Sequence, residues 1–230
     1  MRRFAVLLCV VCLVAFGGGG VQAEQLAATS SLALIKPPAA REANLPRTRW
    51  EHKGAQSQIW TRAALSALKA HGRVLTDMVP RDIGDWCPAY RNADVDGRRA
   101  FWVGFLSALA KHESTYRADA VGGGGQWYGL LQILPSTARG YGCRAGSGPA
   151  LKHGPDNLSC AIRIMARTVP RDGVVAQGMR GVAADWGPFH SRSKREDMRA
   201  WVRRQSYCKP LGAVRPQARP TTPTANSTAD

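Results

Sequence analysis

Residues 101–116 read FWVGFLSALAKHESTY. Trp102, Phe105, Leu106 and Leu109 recur at three- and four-residue steps, the period of one face of an α-helix. Glu113 continues that series, four residues past Leu109, seven past Leu106 and eleven past Trp102. The series predicts a helix with a carboxylate on its apolar stripe, close to the C-terminal end that precedes the polar run Ser114 to Asp119. Burial penalises an ionised carboxylate, and the negative end of the helix dipole acts in the same direction. A carboxyl still protonated near neutral pH is what general-acid catalysis requires. The competing reading is a side chain that reaches water or pairs with Arg117, four residues on.

Outward from this stretch the helical period continues. Trp60, Ala64 and Leu68 step by four, and Leu158, Ala161, Ile162, Met165 and Val169 follow the same template, with Asn157 as the expected N-cap. Met179, Val182, Ala183 and Trp186 predict another helix, and Met198, Trp201 and Val202 a shorter one. Alternating strand runs are nearly absent. The expected fold class is mainly α, with irregular loops at 81–97, 118–128 and 140–156. The four glycines Gly122 to Gly125 resist regular structure.

The chain has 230 residues, 32 Lys+Arg against 16 Asp+Glu, and 44% hydrophobic residues. This is a globular composition, not a collagen-like or low-complexity one. Arg2 and Arg3 precede an apolar run from Phe4 to Phe16, followed by Gly17 to Gly20 and Val21-Gln22-Ala23. A basic end, a short apolar run and a small-residue site predict an export signal cleaved after Ala23. The run is shorter than the roughly 20 residues needed to span a bilayer. Residues 24–50 and 209–230 are Pro-rich with Trp50 as their sole aromatic, so they are expected to be a disordered linker and tail around a domain at 51–208.

Loss of residues 1–23 removes two arginines and no acid, which lowers the formal charge from +16 to +14. Four cysteines then remain: Cys87, Cys143, Cys160 and Cys208. An even count in an exported chain predicts two disulfides, with three pairings open. Cys143 and Cys160 flank a Gly/Pro-rich loop, so the expected pairs are Cys143–Cys160 and Cys87–Cys208. A zinc site lacks any C-x-x-C, and the five histidines are scattered. A metalloprotease fails at its obvious position, because Tyr116 stands where H-E-x-x-H requires histidine, and no Gly-Lys-Ser/Thr follows the glycine run as in a P-loop. The positive charge suits an anionic envelope polymer. No nucleic acid is expected, since no recognisable binding module is present.

Two segments together resemble the soluble lytic transglycosylases (SLT domain) of the lysozyme-like superfamily. They are ALAKHESTY, with the Glu-Ser pair at Glu113-Ser114, and YGLLQILPSTA, with a Gly-Leu-x-Gln motif at Gly129 to Gln132. NLSCAIRIMA at 157–166 is similar to a later core helix of the family. The resemblance spans about 98–190 and implies a helical, lysozyme-like domain with a cleft for peptidoglycan glycan strands. It implies Glu113 as the catalytic acid, Ser114 as its hydrogen-bonding neighbour, Gln132 and Tyr128 as substrate contacts and Gly129 as a close-approach position. No metal and no cofactor are implied. The implied reaction breaks the bond between N-acetylmuramic acid and N-acetylglucosamine and closes a 1,6-anhydro ring.

One element departs from the family pattern. Where many members carry a Tyr-Trp pair, this chain has Asp185-Trp186. Trp186 fits as a cleft or core aromatic, and Asp185 stands in the tyrosine position as a possible second carboxylate. A hydrolase of the same architecture would need such a group to position water, with Asp119 as the other candidate. A non-enzymatic, basic wall-binding protein is the remaining alternative.

Overall fold

The computed structural model describes residues 45–210. The expected export signal, the linker up to residue 44 and the tail from 211 lie outside the described residues. Within them the chain forms eight α-helices, two short hairpins and several 3-10 turns. The helices are α1 (Ala55–Lys69), α2 (Arg73–Asp77), α3 (Ile83–Trp86), α4 (Val95–Ser114), α5 (Pro135–Gly140), α6 (Gly148–Leu151), α7 (Gly154–Asp172) and α8 (Arg192–Arg203). Strands β1 (Val121–Gly122) and β2 (Trp127–Tyr128) pair antiparallel, as do β3 (Ala176–Gln177) and β4 (Arg180–Gly181). The mainly α expectation holds.

α4 is the centre of the domain. Asp94 caps it, its carboxylate accepting from the Gly97 amide at 2.7 Å. From Phe101 to Ala110 every residue of α4 is buried, so the helix is enclosed on all sides rather than along one stripe. α1 and α8 pack on α4, and α1 packs on α7. One end of the core is aromatic: Trp86, Tyr90, Phe101, Trp102, Phe105 and Phe189 meet at centroid distances from 5.1 to 5.9 Å, mostly edge to face. Two of the polar handles are satisfied, since Tyr90 Oη and Trp102 Nε1 both donate to the Leu75 carbonyl, at 2.8 and 3.0 Å, whereas the buried Trp86 Nε1 has no partner among the described residues.

Several boundaries differ from expectation. α7 starts at Gly154 with His153 as N-cap, and Asn157 lies inside it, fully buried. The period from Met179 to Trp186 does not become a helix. Gly178 and Gly181 adopt left-handed φ of 62° and 64°, which turns the chain into the β3–β4 hairpin and leaves Met179 65% exposed. The expected loops also contain structure: α3 lies within 81–97, the β1–β2 hairpin within 118–128, and α6 with the start of α7 within 140–156.

The N-terminal boundary of the folded unit is corrected as well. Residues 45–50 were expected in the linker, but Trp50 is fully buried and its Nε1 donates to Thr61 Oγ1 at 3.0 Å. Arg49 reaches Asp197 of α8 through two hydrogen bonds of 2.7 and 2.9 Å. A single aromatic in a polar stretch forms no periodic pattern, so its partner is visible only in three dimensions. Cys87–Cys208 and Cys143–Cys160 are bonded as expected, closing spans of 121 and 17 residues. Among the described residues no helix is long and apolar enough to cross a membrane.

Candidate functional site

A cleft of about 470 Å³ opens beside the C-terminal end of α4. Glu113, the penultimate residue of α4, lines it together with His112. The hairpin supplies Gly122, Gly123 and Trp127, the following loop supplies Gln132, and the far wall holds Asp185, Trp186 and Lys194. A side pocket of about 120 Å³ continues past Trp127, Gln132, Asp185 and Trp186 to Ile133, Leu134 and Ile164. A larger groove of about 710 Å³, lined by Leu45, Leu65 and Tyr207, contains none of the motif residues. Its two acids are already engaged, Asp94 as the cap of α4 and Asp96 with Arg99 at 2.7 Å.

Glu113 is partly buried and has neither an ion-pair nor a hydrogen-bond partner among the described residues. The alternative of pairing with Arg117 is therefore not realised. Burial pushes its pKa up to about 7, with the nearby Lys194 ammonium opposing that rise. Helix α4 ends here because Thr115 and Tyr116 take left-handed φ of 52° and 60°. Ser114 does not face the cleft. It is buried, and its hydroxyl accepts from the Arg117 amide at 3.2 Å, stabilising the turn that follows the helix rather than touching Glu113.

The loop carrying Gly129 to Gln132 is held from behind by α7. Asn157 Nδ2 donates to the carbonyls of Tyr128 (2.9 Å) and Leu151 (3.0 Å), and its Oδ1 accepts from the Leu131 amide at 2.9 Å. A side chain at Gly129, whose φ is 82°, would collide with the Leu151 carbonyl and the Asn157 amide. The close approach at Gly129 is thus to the end of α6 and to α7, not to the cleft. Gln132 does line the cleft. Its Nε2 donates to the carbonyls of Gly129 (2.9 Å) and Ala120 (3.3 Å), and its Oε1 lies against Gly122. Its own φ of 47° is left-handed, a strain held in place by those contacts.

Trp127, and not the expected Tyr128, lines the cleft. Successive strand residues point to opposite faces. Tyr128 packs its ring against Gly148 and donates from its hydroxyl to the Gly125 carbonyl at 2.6 Å, away from the cleft. Trp127, 45% exposed, forms the wall shared by the cleft and its side pocket. Its indole lies over Gly123, where φ of 58° and the absent Cβ make the contact possible. Trp186 is buried, donates from Nε1 to the Leu131 carbonyl at 2.9 Å, and joins the core to the cleft floor.

Asp185 shares the cleft with Glu113. Burial against its neighbours raises its pKa, with Asp172 adding to the rise and Arg171 opposing it. Asp119 is exposed and does not line the cleft. Sequence reasoning missed His112, Lys194, Trp127 and Asn157. The signal for Trp127 was its alternation with Tyr128. The signal for Asn157 was an amide on the apolar face of a helix. Behind the cleft, Asp197 gathers Arg49, Lys111 (3.2 Å) and His112 (2.7 Å), which hold its carboxyl far below the usual range. Burial lowers the pKa of His112, with Asp197 opposing.

The transglycosylase SLT domain family model matches residues 95–174. That span contains Glu113, the glycine hairpin, the Gln132 loop and all of α7, and it leaves Asp185, Trp186 and α8 outside. Solved structures of Bd0314 DslA are similar over the whole of their length. Its wild-type form is 30% identical with a TM-score of 0.63, covering 71% of this chain and 98% of that one. A glutamate-to-glutamine mutant gives 30% identity, a TM-score of 0.65 and the same coverage. A second such mutant gives 29%, 0.65, and coverage of 72% and 99%. No curated protein matches the sequence.

Proposed function

Since the chain belongs to the transglycosylase SLT domain family, we propose that it is an exported lytic transglycosylase with Glu113 as its single acid and base. The observation that carries this reading is the partly buried Glu113 in the cleft, with its pKa pushed up to about 7. Near neutral pH such a group is present in both protonation states, as a residue that first gives and then takes a proton requires.

The steps follow from the chemistry of the bond. Glu113 protonates the oxygen linking N-acetylmuramic acid to N-acetylglucosamine. The C1–O bond breaks and positive charge develops at C1, assisted by the substrate's own acetamido group. The muramic acid C6 oxygen attacks C1 while its proton passes to the Glu113 carboxylate. A 1,6-anhydro end forms, no water is consumed, and the acid is regenerated. Trp127 offers an apolar face for a sugar ring, Trp186 supports the cleft floor from the core, and the Asn157 clamp keeps the Gln132 loop in place.

Asp185 supports a second reading. It lines the same cleft, and inverting or retaining hydrolases pair two carboxylates across the scissile bond. In that case Asp185 would activate a water and the products would carry reducing ends. Mass spectrometry of products from purified peptidoglycan separates the two. Anhydro ends support the transglycosylase, and reducing ends support the hydrolase.

Cleavage of the leader after Ala23 and a periplasmic or extracellular location complete the proposal. The two disulfides support an oxidising compartment. Residues 24–44 and 211–230 are proposed as a linker and tail around the catalytic domain, and the basic charge as an aid to holding anionic envelope polymers.

A further inference from the structure

Lys194 stands where local electrostatics disfavours a cation. It lies in the first turn of α8, which contains no acid and carries Arg192 and Arg195 besides. The N-terminal end of a helix bears partial positive charge, so a cation there is disfavoured. Arg195 has local partners, donating to the Phe189 carbonyl at 2.9 Å and meeting Glu196 at 3.5 Å. Lys194 has none: among the described residues its ammonium makes no ion pair and no hydrogen bond, and its backbone amide alone is capped, by Ser191 Oγ.

The same charge also opposes the acid. Lys194 lines the cleft with Glu113 and draws the Glu113 carboxyl toward ionisation, against the effect of burial. Lys194 is exposed, so in the free protein its charge is met by solvent and favours neither its own helix nor a proton donor. A local rule broken at a substrate cleft, with no compensating partner in the protein, points to a partner on the ligand.

We propose that Lys194 is a specificity-determining residue that binds a carboxylate carried by the glycan beside the bond under Glu113. On peptidoglycan that carboxylate has two sources, the lactyl group of muramic acid freed of its peptide, or the peptide stem itself. The inference rests on the peptidoglycan reading and adds to it the recognition of an anion at the far wall of the cleft. The wall lies outside the span matched by the family model, which ends at residue 174.

A consequence follows for the acid. The charged or titratable groups that line the cleft around Glu113 are His112 from α4, Asp185 from the segment after β4 and Lys194 from α8. A bound carboxylate offsets the Lys194 charge, so Glu113 holds its proton to higher pH in the complex than in the free enzyme. The acid-base limb of kcat then lies above that of kcat/KM.

The test uses the full exported chain with Glu113→Gln, which keeps glycan intact during the measurement. Its affinity is measured by calorimetry for peptide-free glycan and for stem-bearing glycan, each native and after amidation of its carboxyls. Lys194→Gln and Lys194→Arg are added to this background. We expect the preference for native over amidated glycan to fall about fivefold in Lys194→Gln, the scale of an exposed ion pair, and to persist in Lys194→Arg. The glycan on which it falls identifies the source of the carboxylate. A preference equal within error in the Lys194 and Lys194→Gln proteins on both glycans overturns the inference and leaves the enzyme reading standing. Binding of neither glycan by Glu113→Gln overturns the peptidoglycan reading itself, and the inference with it.

Discussion

Asp197 accepts a hydrogen bond from His112 Nε2 at 2.7 Å, which ties the residue beside Glu113 on α4 to the middle of α8. The same carboxylate holds Arg49 and Lys111, so three segments distant in sequence converge behind the cleft. The end of α4 is thereby fixed from one side by charge, while on the other side Asn157 fixes the loop that faces it. Glu113 follows His112 of the first clamp in the chain and makes no hydrogen bond or ion pair to either clamp among the described residues.

Removal of the charge at Asp197 tests the first clamp. Asp197→Asn leaves three cationic or polar donors facing one neutral amide. Because Asp197 is about a third exposed, we expect a modest loss of about 1–2 kcal/mol at pH 7. The folded-state pKa of Asp197 is depressed, so its contribution is present above its unfolded pKa and is lost as pH falls through the folded value. The stability gap between wild type and variant should begin to narrow below about pH 4 and shrink further as the pH falls. Denaturant midpoints at pH 7 and pH 3 measure it, and a gap that widens in acid contradicts the assignment.

Glu113→Gln carries the opposite sign. Its folded-state pKa is raised from 4.5 to about 7, so the carboxyl is fully compatible with folding below the unfolded pKa and destabilises as pH rises through the folded one. The variant should match wild-type stability near pH 4 and exceed it at pH 8 by about 1–3 kcal/mol. Activity should fall by about 10⁴-fold or more, at or beyond the upper end of the usual range for a positioned proton donor. Thermal melts at both pH values and anhydro-product release check the two halves. A folded variant retaining activity within about tenfold of wild type would show that Glu113 is not the acid.

Trp127 and Gly123 should behave as one unit. Trp127→Ala removes an exposed indole, so stability should stay within about 0.5 kcal/mol. Glycan KM should rise about tenfold from loss of the apolar face. Gly123→Val puts a branched side chain under the indole at a left-handed φ, displaces the ring and should raise KM similarly, with a stability loss. Normal KM in both variants removes Trp127 from the cleft wall.

Truncation separates the two parts of the expected linker. A protein beginning at residue 45 should melt with the full mature chain. A protein beginning at residue 51 lacks Trp50 and Arg49, and should lose about 3–5 kcal/mol, the cost of emptying a buried tryptophan site. Equal melting temperatures for the two truncations would contradict the packing of Trp50.

The second clamp predicts a coupled defect. Asn157→Leu leaves the Leu131 amide and the Leu151 carbonyl without this partner, while the Tyr128 carbonyl keeps the Ile133 amide, so we expect a loss of about 2–4 kcal/mol. Activity should fall even where the variant is fully folded, since the loop carrying Gln132 is released. Hydrogen exchange at residues 128–133, compared with that in α4, reads the release directly.

By itself the sequence determined the helix that carries Glu113 near its C-terminal end, the expectation of a raised pKa for that carboxyl and the mainly α architecture. Each of these is a local matter, because a three- to four-residue period and a misplaced charge are both readable along one strand of chain. The resemblance carried by Glu113-Ser114 and by Gly129 to Gln132 located the two walls of the cleft. What faces what was decided only by the tertiary structure. Ser114 turned into the protein and Trp127 displaced Tyr128, because a hairpin register assigns neighbouring residues to opposite faces. Met179 to Trp186 kept a helical spacing but met two left-handed glycines, and backbone sterics overrode the pattern. Trp50, Asn157 and Asp197 act through partners 11, 26 and 85 residues away. A periodic signal reports which face of an element is apolar and not which element covers it, so these residues acquire their meaning only once the chain has closed on itself.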